Sequence, residues 1–333
     1  MIRRPRLPRD AYVEGVLRGE RTILSQSITL IESLHPEDTE LAQDVLEQCL
    51  PYAGDSLRVG ITGVPGAGKS SVIEVLGAYL TRERHEKVAV LAVDPSSQVS
   101  RGSILGDKTR METLANEDLA FIRPSPSGGS LGGVARRTRE TMLLCEAAGY
   151  RNVLVETVGV GQSETAVRSM VDFFLLLMLA GAGDELQGMK RGIIEMTDLI
   201  AFNKADGANR AAAESARREY QNALHLFSAT GTGWAPRVTT CSARARQGIA
   251  EIWDAVLDHH AWLTSTGELA RFRQAQTKSW LYELIEQALR EGFLQHPGVH
   301  ERIASYEQDV IEGRLSPFRA AHRLIEIYTE NLS

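Results

Sequence analysis

Cysteine is scarce in this chain. There are three in 333 residues, Cys49, Cys145 and Cys241, far apart and without a CxxC pair. An odd and scattered set argues against a disulfide framework and a thiolate zinc site, and points to a reducing compartment. Lysine is scarce too, 6 against 31 arginines, a ratio from which no function follows. Positive charge is not in excess: 37 Lys+Arg face 43 Asp+Glu, for a net charge of -6. That balance argues against nucleic acid as the main partner, which favours a basic face. No apolar run approaches the ~20 residues of a membrane-spanning helix. The longest, Phe173 to Ala180, reads as a buried strand. Arg3, Arg4, Arg6 and Arg9 are followed by no apolar stretch, so no secretory signal is expected. Internal repeats and extended low-complexity segments are lacking as well. A soluble, cytoplasmic protein is the expectation, with neither a membrane nor a nucleic acid as partner.

Hydrophobic residues at 43% and charged residues at 24% are ordinary globular usage, enough to bury a sizeable core. The length allows two or three domains. From Asp10 to Leu50 apolar residues recur at helical spacing, and Pro36 with Glu37 and Asp38 reads as the first turn of a helix. Pro51 to Asp55 breaks that pattern. From Arg58 to about Thr266, short β-branched runs alternate with longer amphipathic stretches. The runs are Val59–Thr62, Val88–Val93, Leu119–Ile122, Val153–Val155, Phe173–Leu179, Leu199–Phe202 and Val238–Thr240. Several are apolar throughout, as in a parallel sheet covered by helices on both faces. After Gly267 the chain reads as helical again, over Phe272–Leu294, Val299–Ile311 and from Ser316-Pro317 to Tyr328. The division expected is a helical extension over 1–54, an α/β domain over 55–266 and a helical arm over 267–333.

Gly63-Val64-Pro65-Gly66-Ala67-Gly68-Lys69-Ser70 fits the phosphate-loop pattern G-x-x-x-x-G-K-[ST]. It lies between a strand and an amphipathic helix, where the glycines let backbone N–H groups turn in around phosphate oxygens. Lys69 supplies a cation for the β- and γ-phosphates, and Ser70 a hydroxyl for Mg²⁺. Ser71, the next residue, is a candidate nucleotide-binding residue together with Gly63–Ser70. Composition alone would produce roughly 0.006 such matches. Asn203-Lys204-Ala205-Asp206 follows a later apolar strand and fits N-K-x-D, a guanine-reading tetrapeptide. A carboxylate at Asp206 accepts from guanine N1–H and the 2-amino group, a donor pair adenine lacks. Lys204 lays its stem along the base. Ser242-Ala243, after the last strand, fits a loop whose backbone contacts guanine O6.

Glu156 ends the strand Val153–Val155 and is placed to hold Mg²⁺ through water. Gly159 is placed to sense the γ-phosphate through its N–H. Small GTPases carry a Gln next, which orients the attacking water. Val160 stands there instead, with Gln162 two residues on, so slow intrinsic hydrolysis that depends on a partner is expected. Asp94, at the end of the second strand, and Asp107, in Gly106–Arg110, sit where an effector loop belongs and are candidate Mg²⁺ ligands or water holders. The acidic loop Gly181–Gly188 is a candidate third switch. The histidines form no convincing metal site: Pro297-Gly298 separates His296 from His300, and His259-His260 cannot share a helix face. A solvated position is expected for all four.

Taken together, these segments resemble the methylmalonyl-CoA mutase-associated GTPase family (the MeaB/ArgK type), a metallochaperone-related branch of the P-loop GTPases. The blocks Ser103–Met111 and Glu156–Glu164 carry the resemblance beyond GTPases in general, and it covers nearly the whole chain, both helical ends included. It implies a mostly parallel sheet flanked by helices, with N- and C-terminal helical extensions. It implies GTP as substrate and GDP as product, Mg²⁺ held by Ser70, Asp94, Asp107 and Glu156, and a homodimer joined through the C-terminal arm. It also implies a partner, adenosylcobalamin-dependent methylmalonyl-CoA mutase, whose cofactor loading the GTPase gates and which it protects or reactivates. Whether a cobalamin adenosyltransferase joins the complex stays open. The family's Pro-x-Thr-Gly-Gly is replaced here by Gln98-Val99-Ser100-Arg101-Gly102, which puts the nucleotide-dependent contacts of that loop in question. Two other readings remain: a kinase or ATPase serving arginine/ornithine transport, a label related chains have carried, and a metal-insertion GTPase for another enzyme. Asn203–Asp206 argues against ATP, and the lack of Cys/His clusters argues against metal handling.

Overall fold

The computed structural model describes residues 6–93, 111–124, 131–157, 163–181, 191–224 and 233–330. The chain divides into two compact units, Met1–Phe272 and Arg273–Ser333. In the first unit, helices α1 (Arg9–Leu17), α2 (Arg21–Glu32) and α3 (Pro36–Cys49) come first. A left-handed Gly19, φ 73°, separates α1 from α2. The two helices then approach closely at Gly15, where an added Cβ would lie 2.6 Å from Ile23.

An alternating region follows. It runs through β1 (Leu57–Gly63), α4 (Lys69–Arg82), β2 (Val88–Val93), the short α5 (Glu112–Ala115), β3 (Ala120–Arg123) and α6 (Leu131–Ala147). It continues with β4 (Asn152–Thr157), α7 (Ser163–Arg168), β5 (Phe173–Leu179), α8 (Arg191–Glu195), β6 (Leu199–Asn203), α9 (Arg210–Leu224), β7 (Arg237–Thr240) and α10 (Ile249–Ser265). The seven strands form one parallel sheet in the order β3-β2-β4-β1-β5-β6-β7. The apolar runs were therefore strands, and their unbroken hydrophobicity reflects burial on both faces. On one face Val59, Ile61, Phe173 and Leu175 pack with Ile73 and Leu76 of α4 and Ile252 and Trp253 of α10. On the other, Val153, Val155 and Phe174 pack with α1–α3, α6 and Val167 of α7, and α9 covers Leu176, Ile200 and Phe202. A buried side chain of this size contributes about 1.5–3 kcal/mol. β1 and β4 are central, and the phosphate loop leaves the sheet there, at the strands' carboxyl ends.

Two buried polar clusters brace this unit. Glu146, at the end of α6, accepts from Gly54 N at 2.8 Å, from Ser56 Oγ, and from Arg58 Nε and Nη2 at 2.6 and 3.0 Å. It fastens the exit of the helical extension to the first strand. At the opposite edge of the sheet from the phosphate loop, Asp198 accepts from Arg168 Nη1 at 3.0 Å and Phe174 N at 2.8 Å. His259 lies 3.6 Å away through Nε2 and is enclosed by Phe173 and Trp234. Here the expectation of a solvated His259 fails: the ring is 1% exposed, because its side of α10 faces the core. Burial pushes the Asp198 carboxyl up to about 6 and pulls His259 down to about 4.

The second unit holds most of α11 (Glu268–Gln295), with α12 (Pro297–Ile311) and α13 (Pro317–Glu330). Pro297 opens α12 and His296 caps it, so His296 and His300 flank a helix start rather than a break. Val299, Ala320 and Leu324 are buried, and Tyr328 meets Phe293 and His296 edge-on. On α11 an apolar stripe of Leu281, Tyr282, Ile285 and Leu289 is exposed.

Candidate functional site

β1 ends in glycine because the chain turns there against its neighbour. Gly63 has φ 153°, and an added Cβ would stand 2.3 Å from the Leu177 carbonyl oxygen on β5. Gly66 and Gly68 take left-handed φ values of 80° and 87°. Only glycine adopts these without strain, and the turn carries the chain from strand to helix in a few residues. Pro65, Gly66 and Ser71 are exposed, whereas Ala67 is buried. α4 begins at Lys69, so the N–H groups of its first turn lack partners within the helix and face the loop.

The polar groups at the end of this loop have partners within the protein: Lys69 bonds to the loop's own carbonyls and Ser70 to a carboxylate on β4. Lys69 Nζ donates to the carbonyls of Gly63 at 2.8 Å and Val64 at 3.4 Å. Burial lowers the Lys69 pKa, and the carboxylates of Glu156 and then Glu164 act against that shift. Ser70 Oγ donates to Glu156 Oε1 at 2.8 Å. Glu156 stands opposite Ile61 in the β1–β4 register, which aims it at the start of α4. The next pair, Thr157 Oγ1 and Thr62 Oγ1, hydrogen-bond at 2.8 Å on the other face. A hydroxyl and a carboxylate are hard oxygen donors of the kind Mg²⁺ takes. Among the described residues no cluster of three His, Cys, Asp or Glu forms a metal site.

The tetrapeptide Asn203–Asp206 lies beside the phosphate loop. Asn203 Nδ2 donates to the Ala67 carbonyl at 2.7 Å, and its Oδ1 accepts from Ala243 N at 3.2 Å. One buried amide thus ties the phosphate loop to the Ser242-Ala243 loop. The approach is tight: a Cβ on Gly68 would lie 2.6 Å from Asn203 Nδ2. Ser242 Oγ donates to Asp206 Oδ2 and accepts from Ala245 N at 3.0 Å, which holds the carboxylate in place. Lys204 is exposed at φ 59°, a conformation that costs a non-glycine residue about 1–3 kcal/mol and that tertiary contacts must hold. Here the backbone bond from Ala205 N to the Cys241 carbonyl, 2.9 Å, is one such contact.

The structure therefore brings together Gly63, Val64, Pro65, Gly66, Ala67, Gly68, Lys69, Ser70, Glu156, Asn203, Lys204, Asp206, Ser242 and Ala243. Asp94, Asp107, Gly159 and Gln162 lie outside the described residues, as do Gln98–Gly102 and all but the first residue of the Gly181–Gly188 loop. Three groups were not anticipated: the Thr62–Thr157 hydroxyl pair, the buried Glu164, and the Cys241 thiol, 3.6 Å from Asn203 Oδ1 and raised to about 12 by burial. Each is a polar residue at or just beyond an apolar strand's carboxyl end, the one signal the sequence offered.

The family profile described as methylmalonyl Co-A mutase-associated GTPase MeaB matches residues 24–297. The Escherichia coli (strain K12) protein named GTPase ArgK is 49% identical over 318 residues, 94% of this chain and 95% of that one. The Mus musculus protein named methylmalonic aciduria type A homolog, mitochondrial, is 46% identical over 329 residues, 96% of this chain and 79% of that one. A crystal structure titled LAO/AO transport system kinase superimposes with a TM-score of 0.77 at 41% identity, covering 96% of this chain and 97% of that one.

Proposed function

Since this chain belongs to the MeaB family of methylmalonyl-CoA mutase-associated GTPases and hydrolyses GTP, we propose that its nucleotide cycle serves an adenosylcobalamin-dependent methylmalonyl-CoA mutase. In this reading the GTPase is a chaperone. It gates the loading of intact cofactor into the mutase and protects or reactivates that enzyme. The family match and the name of the mouse relative support the client.

The observation that carries guanine over adenine is the Asn203 bridge, with Asp206 held by Ser242 beside it. Asp206 accepts from guanine N1–H and the 2-amino group, and the Ala243 loop lies where O6 belongs. Lys69 leaves the Gly63 carbonyl for the β- and γ-phosphates, and the first-turn N–H groups of α4 cradle them. Ser70 and Glu156 would hold Mg²⁺, which would supply charge neutralisation at the phosphates, and Asp94 and Asp107 would complete the set. Gly159 senses the γ-phosphate, and Gln162 is the candidate to position water. The exposed stripe of Leu281, Tyr282, Ile285 and Leu289 supports a homodimer formed through the C-terminal arm. The divisions proposed are 1–54, 55–266 and 267–333.

The transport-kinase title of the solved relative supports a second reading, a nucleotide-dependent kinase linked to amino-acid transport. The two separate in one assay. GTP and ATP turnover are measured with and without purified methylmalonyl-CoA mutase. Slow, GTP-specific turnover raised several-fold by the mutase is the expected result. A preference for ATP favours the second reading. A mutase without effect removes the client and leaves the GTPase.

A further inference from the structure

Two buried hydroxyls have no role in the scheme above. Thr62 and Thr157 are each 1% exposed, and Thr157 Oγ1 donates to Thr62 Oγ1 at 2.8 Å. The side of the sheet they occupy packs through Val153, Val155 and Phe174 with Val167 of α7. Valine has nearly the shape of threonine and no hydroxyl to desolvate, so packing alone gives no reason for two hydroxyls here. What a hydroxyl adds is a bond with a direction and a fixed length.

Their place in the sheet shows what that bond fixes. The β1–β4 register runs from Leu57 opposite Asn152 to Ile61 opposite Glu156 and stops there. On their other sides both strands stay paired further: Gly63 lies opposite Leu177 of β5, and Thr157 opposite Val93 of β2. The central seam thus opens earlier than the seam on either side, and the hydroxyl bond is its next link. Each threonine also adjoins a group of the site. Thr62 precedes Gly63, whose carbonyl accepts from Lys69 Nζ at 2.8 Å. Thr157 follows Glu156, whose Oε1 accepts from Ser70 Oγ at 2.8 Å. Side chains alternate along a strand, so the threonine clasp lies behind Glu156, on the face away from α4.

We propose that Thr62 and Thr157 are positioning residues of the Mg²⁺–nucleotide site: their hydroxyl bond closes the seam beneath the phosphate loop and so fixes the Glu156 carboxylate against the Ser70 hydroxyl. Mg²⁺ demands near-ideal octahedral geometry at about 2.0–2.1 Å, so the spacing of its donors matters. One donor stands on β4. The other stands at the start of α4, which β1 delivers through the loop. Slip between β1 and β4 therefore changes their spacing directly. The phosphate-cradling N–H groups all lie on the β1 side of the seam and move together. The clasp thus acts on metal binding more than on the nucleotide itself. The inference rests on Ser70 and Glu156 as the Mg²⁺ site.

The test measures GDP dissociation constants of the full-length protein in saturating Mg²⁺ and in EDTA; their ratio is the Mg²⁺ coupling. The variants are Thr62→Val/Thr157→Val, Thr62→Val alone, and Thr157→Ser, which keeps the hydroxyl. In the double variant the coupling should fall about fivefold, the factor that one hydrogen bond of ordinary net strength is worth. Its GDP affinity in EDTA should stay within twofold of wild type. Thr157→Ser should keep the coupling within twofold of wild type. A merely structural role would move both constants alike and leave their ratio unchanged. A double variant whose coupling stays within twofold of wild type overturns the inference, and so does a Thr157→Ser coupling that falls as far as the double variant's. If the double variant does not fold, Thr62→Val alone is read by the same limits. A wild type without coupling, or Glu156→Gln with full coupling, overturns the metal-site reading and the inference with it.

Discussion

Asn203→Ala tests whether one amide organises two loops of the nucleotide site. The substitution removes the donor to the Ala67 carbonyl at 2.7 Å and the acceptor of Ala243 N–H at 3.2 Å. Both partners are buried backbone groups. Each left unpaired costs about 1–3 kcal/mol, or about 2–6 kcal/mol together. A water that replaced the amide would restore part of the loss, which puts the expectation at the low end of that range. A loss of about 2–3 kcal/mol is expected in urea denaturation of the nucleotide-free protein. GDP affinity should fall about 30- to 150-fold, since 1.4 kcal/mol is a factor of ten. Titration with a fluorescent GDP analogue reads the second quantity. If the variant loses stability but binds GDP within threefold of wild type, the bridge is only a brace for the fold, and the argument from preorganisation is wrong.

Glu146→Ala strands the Arg58 guanidinium, which is 12% exposed, and should cost about 3–5 kcal/mol in urea denaturation. The folded fraction should bind GDP unchanged, because this knot lies at the foot of β1. Gly63→Ala places a methyl group 2.3 Å from the Leu177 carbonyl at φ 153° and should cost about 3 kcal/mol or more; a loss under 1 kcal/mol would contradict the geometry. The third concerns pH. Asp198 is raised from 3.8 to about 6, so the folded state takes up its proton first and gains stability as pH falls through 6. His259 is lowered from 6.5 to about 4, so the folded state resists protonation and loses stability as pH falls from 6.5. The two oppose each other between about pH 4 and 6. His259→Gln removes the second contribution, so its melting temperature relative to wild type should rise from pH 7 to pH 5. An unchanged difference would refute the opposition.

The sequence by itself determined the parallel sheet, since seven apolar runs separated by amphipathic stretches leave few other arrangements. It also marked Gly63–Ser70 and Asn203–Asp206 as candidates for the phosphate loop and the guanine-reading segment, because both motifs are contiguous and require particular residues at fixed spacing. What it left undecided were relations between residues far apart in the chain. His259 reads as polar and solvated, yet its side of α10 faces the core beside Asp198, 61 positions earlier. No pattern in the sequence marks Thr62 and Thr157 as bonded partners, because the strand register that places them side by side is a property of the assembled sheet. Glu164 is one acidic residue among 43 until α7 folds back over β1 and buries it. Local pattern carries what backbone periodicity and loop chemistry demand. Burial, and with it the cost of each charge and the partner that offsets it, arises only when the layers close.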